Sequence, residues 1–245
     1  MILPVCPKPY LHGAKTGSRG MNMNKKLFAE AIAKFSLGVV LVGALIFLPA
    51  GTLHFFNGWL LMGVLFVPMF AAGLVMLAKD PNLLRSRLDA KEKAKEQDLV
   101  VKLSGLMFLA GFVIAGLDYR FGWLPLPKAV SVAATVVFLI SYALYAEVLR
   151  ENAYLSRTIQ VQEGQKVVDT GLYGIVRHPR YSATVVLFLS IPLVLGSLLA
   201  FVIFLVYPFI IAKRIRHEEE FLVQELPGYE AYRKKVKYRM IPLVW

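Results

Sequence analysis

Apolar residues gather in four blocks and then in one much longer block. Ala33–Leu48, Gly58–Ala78, Leu103–Leu117 and Ala129–Val148 each approach the roughly 20 apolar residues that cross a bilayer as a helix. The fifth block, Ser182–Ala212, would measure ~46 Å as one straight helix at ~1.5 Å per residue. A bilayer core is only ~30 Å thick. Pro192 and Gly196-Ser197 interrupt this block near its middle, so the pattern predicts a helical hairpin with both ends on one side. The expected fold class is all-α integral membrane: four spans plus a C-terminal transmembrane helical hairpin.

The polar stretches divide the chain into three parts. Residues 1–24 are rich in Pro, Gly, Lys and Asn and lack the apolar region of a signal peptide. They are read either as a disordered basic tail or as sequence ahead of a true start at Met21 or Met23. Residues 25–148 hold the four spans. Between the second and third, residues 81–98 carry helix formers and mixed charges, which suits a surface helix on the headgroups or a solvated linker. Residues 149–245 form the third part. Arg150 to Arg157 is polar and aromatic, and Thr158 to Val168 alternates polar with apolar around Glu163-Gly164. That reads as a short extended or hairpin-like segment, with Asp169 to Gly171 as a second turn.

Composition agrees with a membrane protein: the chain is 57% hydrophobic, with mean hydropathy +0.58. The net charge is +12, and its placement says more than its size. Of 28 Lys/Arg, only Arg120 and Lys128 fall in the two links assigned to the far side. By the positive-inside rule both termini are cytoplasmic, as expected of a bacterial inner (plasma) membrane protein. A basic layer facing anionic lipid accounts for the charge better than nucleic acid does. Cys6 is the single cysteine, so no internal disulfide forms. His12, His54, His178 and His217 are scattered and no metal-ligand spacing is present, so no metal site is expected.

Two polar clusters bracket the predicted hairpin: Tyr173 with Arg177-His178-Pro179-Arg180-Tyr181 before it, and Lys213-Arg214 to Glu220 after it. A hairpin would place them side by side at the membrane surface. Each has a plain structural account. Pro179 suits the first turn of a helix. The tyrosines and arginines suit an interfacial belt. Arg214 and Glu218 share a helix face as an i,i+4 pair worth ~0.3–0.5 kcal/mol. None of these explains why so many hydrogen-bonding groups converge on one short segment.

The run from Val167 to Tyr173, then Arg177-His178-Pro179-Arg180-Tyr181, then Arg214 with Glu218-Glu219, then Leu226-Pro227-Gly228-Tyr229 with Tyr232, ending Tyr238 to Pro242, resembles the isoprenylcysteine carboxyl methyltransferase family. Its wider group includes membrane phospholipid methyltransferases. The resemblance extends from about Asn152 to Trp245. It implies a membrane methyltransferase using S-adenosyl-L-methionine, with a cytoplasmic cofactor pocket formed by the C-terminal half. No dinucleotide-type glycine loop with a downstream acidic residue is present to suggest a soluble cofactor domain.

By motif matching, cofactor contacts are implied for Gln165, Lys166, Val167, Val168, Tyr173, His178, Pro179, Arg180, Tyr181 and Glu218. Gln162 matches a family glutamine across a gap. Arg214 would hold the substrate, and Arg214, Glu218 and Glu219 form the catalytic set. A carboxylate acceptor is ionised at neutral pH and needs no base. An amine acceptor needs one, with Glu219 or His178 as candidates. The implied partner is a lipophilic small molecule, lipid or lipidated acceptor. Substrate choice is expected to depend on the N-terminal half, which carries no part of the resemblance. Two readings compete. Steroid and sterol reductases, which use NADPH, carry a similar Arg-His-Pro-x-Tyr, but there the tyrosine is followed by a small residue and a glutamate, whereas Ser182-Ala183-Thr184 follows Tyr181. A scaffold or transporter subunit would place ionisable groups within the spans, where only Glu147 stands near an end.

Overall fold

The computed structural model describes residues 19–88, 95–152, 154 and 161–245. Its helices are α1 (Arg19–Ala50), α2 (Phe56–Lys79), α3 (Pro81–Leu88), α4 (Lys95–Phe121), α5 (Lys128–Glu151), α6 (Pro179–Leu195), α7 (Leu198–Phe204), α8 (Tyr207–Glu225) and α9 (Tyr229–Lys235). Among the described residues there is no strand, so the all-helical expectation holds. Five helical stretches are long and apolar enough to cross a membrane: in α1, α2, α4 and α5, and Leu198–Glu225 taken as one. α6 is apolar but shorter.

Each apolar block becomes a helix, and each helix outruns its block. α4 starts at Lys95 and α1 at Arg19, because helical hydrogen bonding continues past the membrane through Lys, Glu and Gln, all good helix formers. The last residues assigned to the N-terminal tail therefore open α1, and residues 1–18 lie outside the described residues. The linker read at 81–98 contributes α3 and the start of α4, and 89–94 lie outside.

The hairpin forms where the pattern placed it. α6 ends at Gly196, whose φ of +78° is the left-handed conformation that glycine adopts without penalty. Ser197 then caps α7 by accepting from the Ala200 N–H. The return arm is broken between α7 and α8, with Pro208 in the first turn of α8.

α6 is the hub of the bundle. It packs against α2, α4, α5, α7 and α8, while α4 packs against α1. Tyr181, Val185, Ile191 and Val194 are buried on several faces of α6, which explains its uniformly apolar character. The core joins Ile46, Leu61, Phe138, Val194, Phe204 and Ile215, all fully buried. α1 and α4 approach closely at Gly116, where an added Cβ would stand 2.5 Å from the Ile46 carbonyl oxygen. Elsewhere large apolar side chains face outward, including Val67 and Phe209, as lipid-facing helices require.

The two ends of the bundle differ. At one end the α1–α2, α4–α5 and α6–α7 turns meet: Leu126 N–H donates to the Gly196 carbonyl, and Asn57 donates to Ser131 and to the Leu195 carbonyl. The other end carries the chain between α5 and α6, the end of α8, α9 and the C-terminal tail. A separate small core forms there from Leu226, Tyr229, Tyr232 and Val236, packed against Val161 and Val167.

Candidate active site

The segment between α5 and α6 has no hydrogen-bonded ladder among its described residues, and 153 and 155–160 lie outside them. Of the stretch read as extended or hairpin-like, Thr158 to Gln160 lie outside the described residues, and the rest turns at Gly164 (φ +71°), where the Gln165 N–H donates to the Gln162 carbonyl at 3.0 Å. The chain then crosses the site in extended form and makes one 3-10 turn, Gly171–Gly174. The Glu151 carboxylate at the end of α5 accepts from the Leu172 N–H at 3.1 Å. It fills the space over Gly171, where a Cβ would fall 1.7 Å from a carboxylate oxygen.

The next residues are strapped down by the C-terminal tail. Arg177 N–H donates to the Tyr238 carbonyl and His178 N–H to the Arg239 carbonyl. The Arg177 guanidinium also donates to the Val236 and Lys237 carbonyls at 2.6 and 2.8 Å. The Ser182 hydroxyl donates to the Met240 carbonyl at 2.6 Å. The Tyr232 hydroxyl of α9 donates to the Tyr173 carbonyl at 2.7 Å. α9 and the tail therefore close over the start of α6.

Glu219 anchors this arrangement. Only 2% exposed, it accepts from Arg177 Nε at 2.6 Å, His178 Nε2 at 3.2 Å and Arg239 Nε at 2.8 Å. The carboxylate is held by two guanidinium donors and one imidazole donor, an arrangement that keeps it ionised. The donor role of His178 Nε2 is assigned from that partner.

Glu218, the neighbouring residue, faces a different environment. Its Oε2 accepts from the Tyr181 hydroxyl at 2.6 Å, and that hydroxyl accepts from Arg180 Nη2 at 2.6 Å and Arg214 Nε at 2.8 Å. The Arg180 guanidinium lies over the Tyr181 ring, 4.6 Å from its centroid.

Between these layers lies a cleft. One wall is Gln165, Lys166, Val167 and Val168, with Asn152 and Tyr154 from the end of α5. The floor is Tyr173, Arg177, His178, Arg180, Tyr181 and Glu218. Leu222, Leu226, Tyr229 and Tyr232 complete it. The hydroxyls of Tyr173 and Tyr229 are buried, and neither makes a hydrogen bond of good geometry among the described residues, although the Asn152 side chain stands close enough to Tyr173 to act on its phenol. Burial raises the Tyr173 phenol to about 12. Burial, with Glu219 and Glu218 nearby, pushes Tyr229 above the ordinary phenol range. Both therefore stay neutral at physiological pH, each with a proton to give. A buried hydroxyl without a partner costs roughly 1–3 kcal/mol, and in a cleft it leaves a donor that a ligand or a water can satisfy.

Most of the expected cofactor residues meet here: Gln165, Lys166, Val167, Val168, Tyr173, His178, Arg180, Tyr181 and Glu218 all line the cleft. Four expected residues do not. Pro179 is buried as the first residue of α6. Gln162 turns away and donates to the Tyr154 carbonyl at 2.9 Å. Arg214 reaches the cleft floor through Tyr181. Glu219, expected in the catalytic set, sits beneath the floor as a clamp, because three donors hold its oxygens. The sequence reading missed Asn152, Tyr154, Arg177, Leu222, Leu226, Tyr229 and Tyr232 as lining residues. The i,i+3 tyrosines after Pro227-Gly228 were the available signal, since Gly228 at φ +86° turns the chain back over the site.

Residues 128–224 match the model of the isoprenylcysteine carboxyl methyltransferase (ICMT) family. The match opens with α5 and ends one residue short of the end of α8, so it holds the hairpin and both glutamates. α9 and the tail lie beyond it. The chain is also 31% identical over 91 residues to the Delta(14)-sterol reductase of Mus musculus, which covers 36% of this chain. The chain spans about a fifth of that relative's length, 22%.

Proposed function

We propose that this chain, which carries the isoprenylcysteine carboxyl methyltransferase family's region over residues 128–224, is a membrane methyltransferase using S-adenosyl-L-methionine and a lipophilic acceptor bearing a carboxylate. The carrying observation is the cleft itself. It offers a carboxylate (Glu218), cationic groups (Lys166, Arg180), apolar surface (Val167, Leu222) and two buried partnerless hydroxyls on one concave surface. That mixed set fits a zwitterionic, hydroxyl-bearing ligand with a sulfonium and an adenine.

S-adenosyl-L-methionine supplies a methyl on sulfur, and transfer to a carboxylate breaks one C–S bond, forms one C–O bond and releases no proton. The chain's task is then positioning and electrostatics. Val167, Val168 and Leu222 would pack the adenine. Tyr173 and Tyr229 would bond ribose or amino-acid oxygens, and Glu218 would face the cationic part. Arg214 lies one turn of α8 nearer the apolar hairpin and would hold the acceptor carboxylate. The positive-inside distribution supports a cytoplasmic cleft, with α6 and Leu198–Glu225 as the two arms of a membrane hairpin. Because two guanidiniums and an imidazole hold Glu219 as the weakly basic carboxylate, His178 is the better base for an amine acceptor such as a phospholipid amine.

The partial likeness to a sterol reductase favours a second reading, NADPH-dependent reduction. Titrating purified protein in detergent with S-adenosylhomocysteine and with NADPH separates the two. Thermal stabilisation by the first is expected, as is methylation of an N-acetyl-S-farnesylcysteine probe when S-adenosyl-L-methionine is supplied. Stabilisation by NADPH alone overturns the methyltransferase reading. Methylation of phosphatidylethanolamine vesicles in place of the probe would move the acceptor from carboxylate to amine.

A further inference from the structure

The Tyr181 hydroxyl is unusual in having every hydrogen-bonding site used, with all three directions fixed by chemistry. A guanidinium can only donate, so the hydroxyl accepts from both Arg180 Nη2 and Arg214 Nε, at 2.6 and 2.8 Å. Its one proton must then go to Glu218 Oε2, at 2.6 Å. Arg180 lies 3.8 Å from the same carboxylate oxygen, which closes the ring. The phenol itself cannot swing. It is 5% exposed, with Arg180 over its face and the His178 ring at 5.8 Å between centroids. Tyr181 stands on α6, and Arg214 and Glu218 stand on α8, the other arm of the hairpin.

We infer that Tyr181 is a positioning residue that sets the orientation of Arg214 and joins it to the cleft-lining pair Arg180 and Glu218. This rests on the methyltransferase reading above, in which Arg214 holds the acceptor. An arginine side chain samples many rotamers, but one whose Nε is tied to a fixed oxygen has the plane of its guanidinium held in one orientation. The acceptor-holding group is thereby referenced to the floor of the cofactor cleft and not to α8 alone. In-line transfer depends on that reference, because misplacement by about 1 Å costs on the order of a hundredfold in rate.

The test is Tyr181→Phe, made in wild type and in Arg214→Lys. Single-turnover methylation of N-acetyl-S-farnesylcysteine and calorimetric binding of S-adenosylhomocysteine are the two readouts. In wild-type background, Tyr181→Phe is expected to lower kcat by about ten- to a hundredfold, while cofactor-product affinity stays within about threefold. In the Arg214→Lys background, where no Nε–H exists, the same change is expected to alter kcat by less than about threefold. Equal losses in both backgrounds overturn the proposal. So does weakened S-adenosylhomocysteine binding with kcat unchanged at saturation. Should Tyr181→Phe fail to fold, Arg214→Lys alone decides: kcat must fall with product affinity retained, and an unchanged kcat overturns the role. If wild type binds no S-adenosylhomocysteine, the methyltransferase reading falls and takes this proposal with it. If wild type binds and turns over normally while Tyr181→Phe does the same, only the positioning role falls.

Discussion

The two ends of the helical bundle treat buried polar groups in opposite ways. At the end where the three short turns meet, Asp118 is 1% exposed and accepts from the Leu124 N–H at 2.8 Å and from the Ser197 hydroxyl. Asn57 serves Ser131 and the Leu195 carbonyl. Those side chains spend their hydrogen bonds on holding turns together. At the opposite end, the buried hydroxyls of Tyr173 and Tyr229 make no hydrogen bond of good geometry among the described residues. Folding seldom leaves a buried phenol without a partner. Under the proposed function, polar groups bonded within the chain serve the architecture and the two tyrosine hydroxyls serve the ligand.

The adjacent glutamates of α8 sharpen the same contrast. Glu219 belongs with the architecture and Glu218 with the site, although the sequence shows them side by side in one acidic run. The largest effect should therefore come from Glu219→Gln. The amide removes the charge shared by Arg177, His178 and Arg239 and leaves two guanidiniums without their counter-ion. Breaking a buried pair of this kind costs about 3–5 kcal/mol. Thermal unfolding should shift strongly downward, and S-adenosylhomocysteine should recover little of the loss. A folded variant of normal stability that has lost only turnover would move Glu219 back into the chemistry.

That glutamate also shows where sequence reading stops. The spans and the hairpin turn were legible because hydrophobic runs and a Pro192/Gly196 break report directly on helix length and reversal. The cleft residues before α6 were legible because their motif is local. The partition between Glu218 and Glu219 was not, since one helical step of 100° sends neighbours to different surroundings. What decides it is Arg239, twenty residues away on a tail whose backbone lies against Arg177 and His178. Tyr229 was missed for the same reason: its burial depends on α9 folding back against Val167.

The next effect in size belongs to the saturated end. Asp118→Ala leaves the Leu124 N–H and the Ser197 hydroxyl without their acceptor in a buried place, a loss of about 1–3 kcal/mol per group. Stability should fall while the S-adenosylhomocysteine dissociation constant stays within about twofold, because no residue of that network lines the cleft. A large loss of affinity would mean that the two ends are coupled through α6.

Tyr229→Phe should behave in the reverse sense. Removing a hydroxyl that has no partner in the free protein costs the fold nothing and relieves a desolvated polar atom, so the unliganded melting temperature should hold or rise slightly. Removing the same atom from the ligand complex forfeits one hydrogen bond, about 0.5–1.5 kcal/mol. Affinity for S-adenosylhomocysteine should drop roughly two- to tenfold by calorimetry. A drop in free-protein stability with no change in affinity would show that the hydroxyl serves the fold after all.

The smallest effect concerns an exposed tie across the same cleft. Lys235 of α9 donates to Asp169 at 2.7 Å, and that hydrogen bond holds the Asp169 carboxyl below its ordinary range. A carboxyl whose pKa is lower folded than unfolded contributes stability above its unfolded pKa. The contribution disappears as pH falls through the folded value. The melting temperature of wild type should thus slightly exceed that of Asp169→Asn at neutral pH. The gap should narrow from about pH 4 downward, where carboxylates protonate. Salt should narrow it at neutral pH too, because both partners are largely exposed. The pair links α9 to the segment carrying Val167 and Val168 without lining the cleft. Its loss should leave S-adenosylhomocysteine affinity at neutral pH within about twofold, against the larger drop expected of Tyr229→Phe. If Asp169→Asn weakens binding as much as that variant does, closure of α9 rather than its hydroxyl holds the ligand.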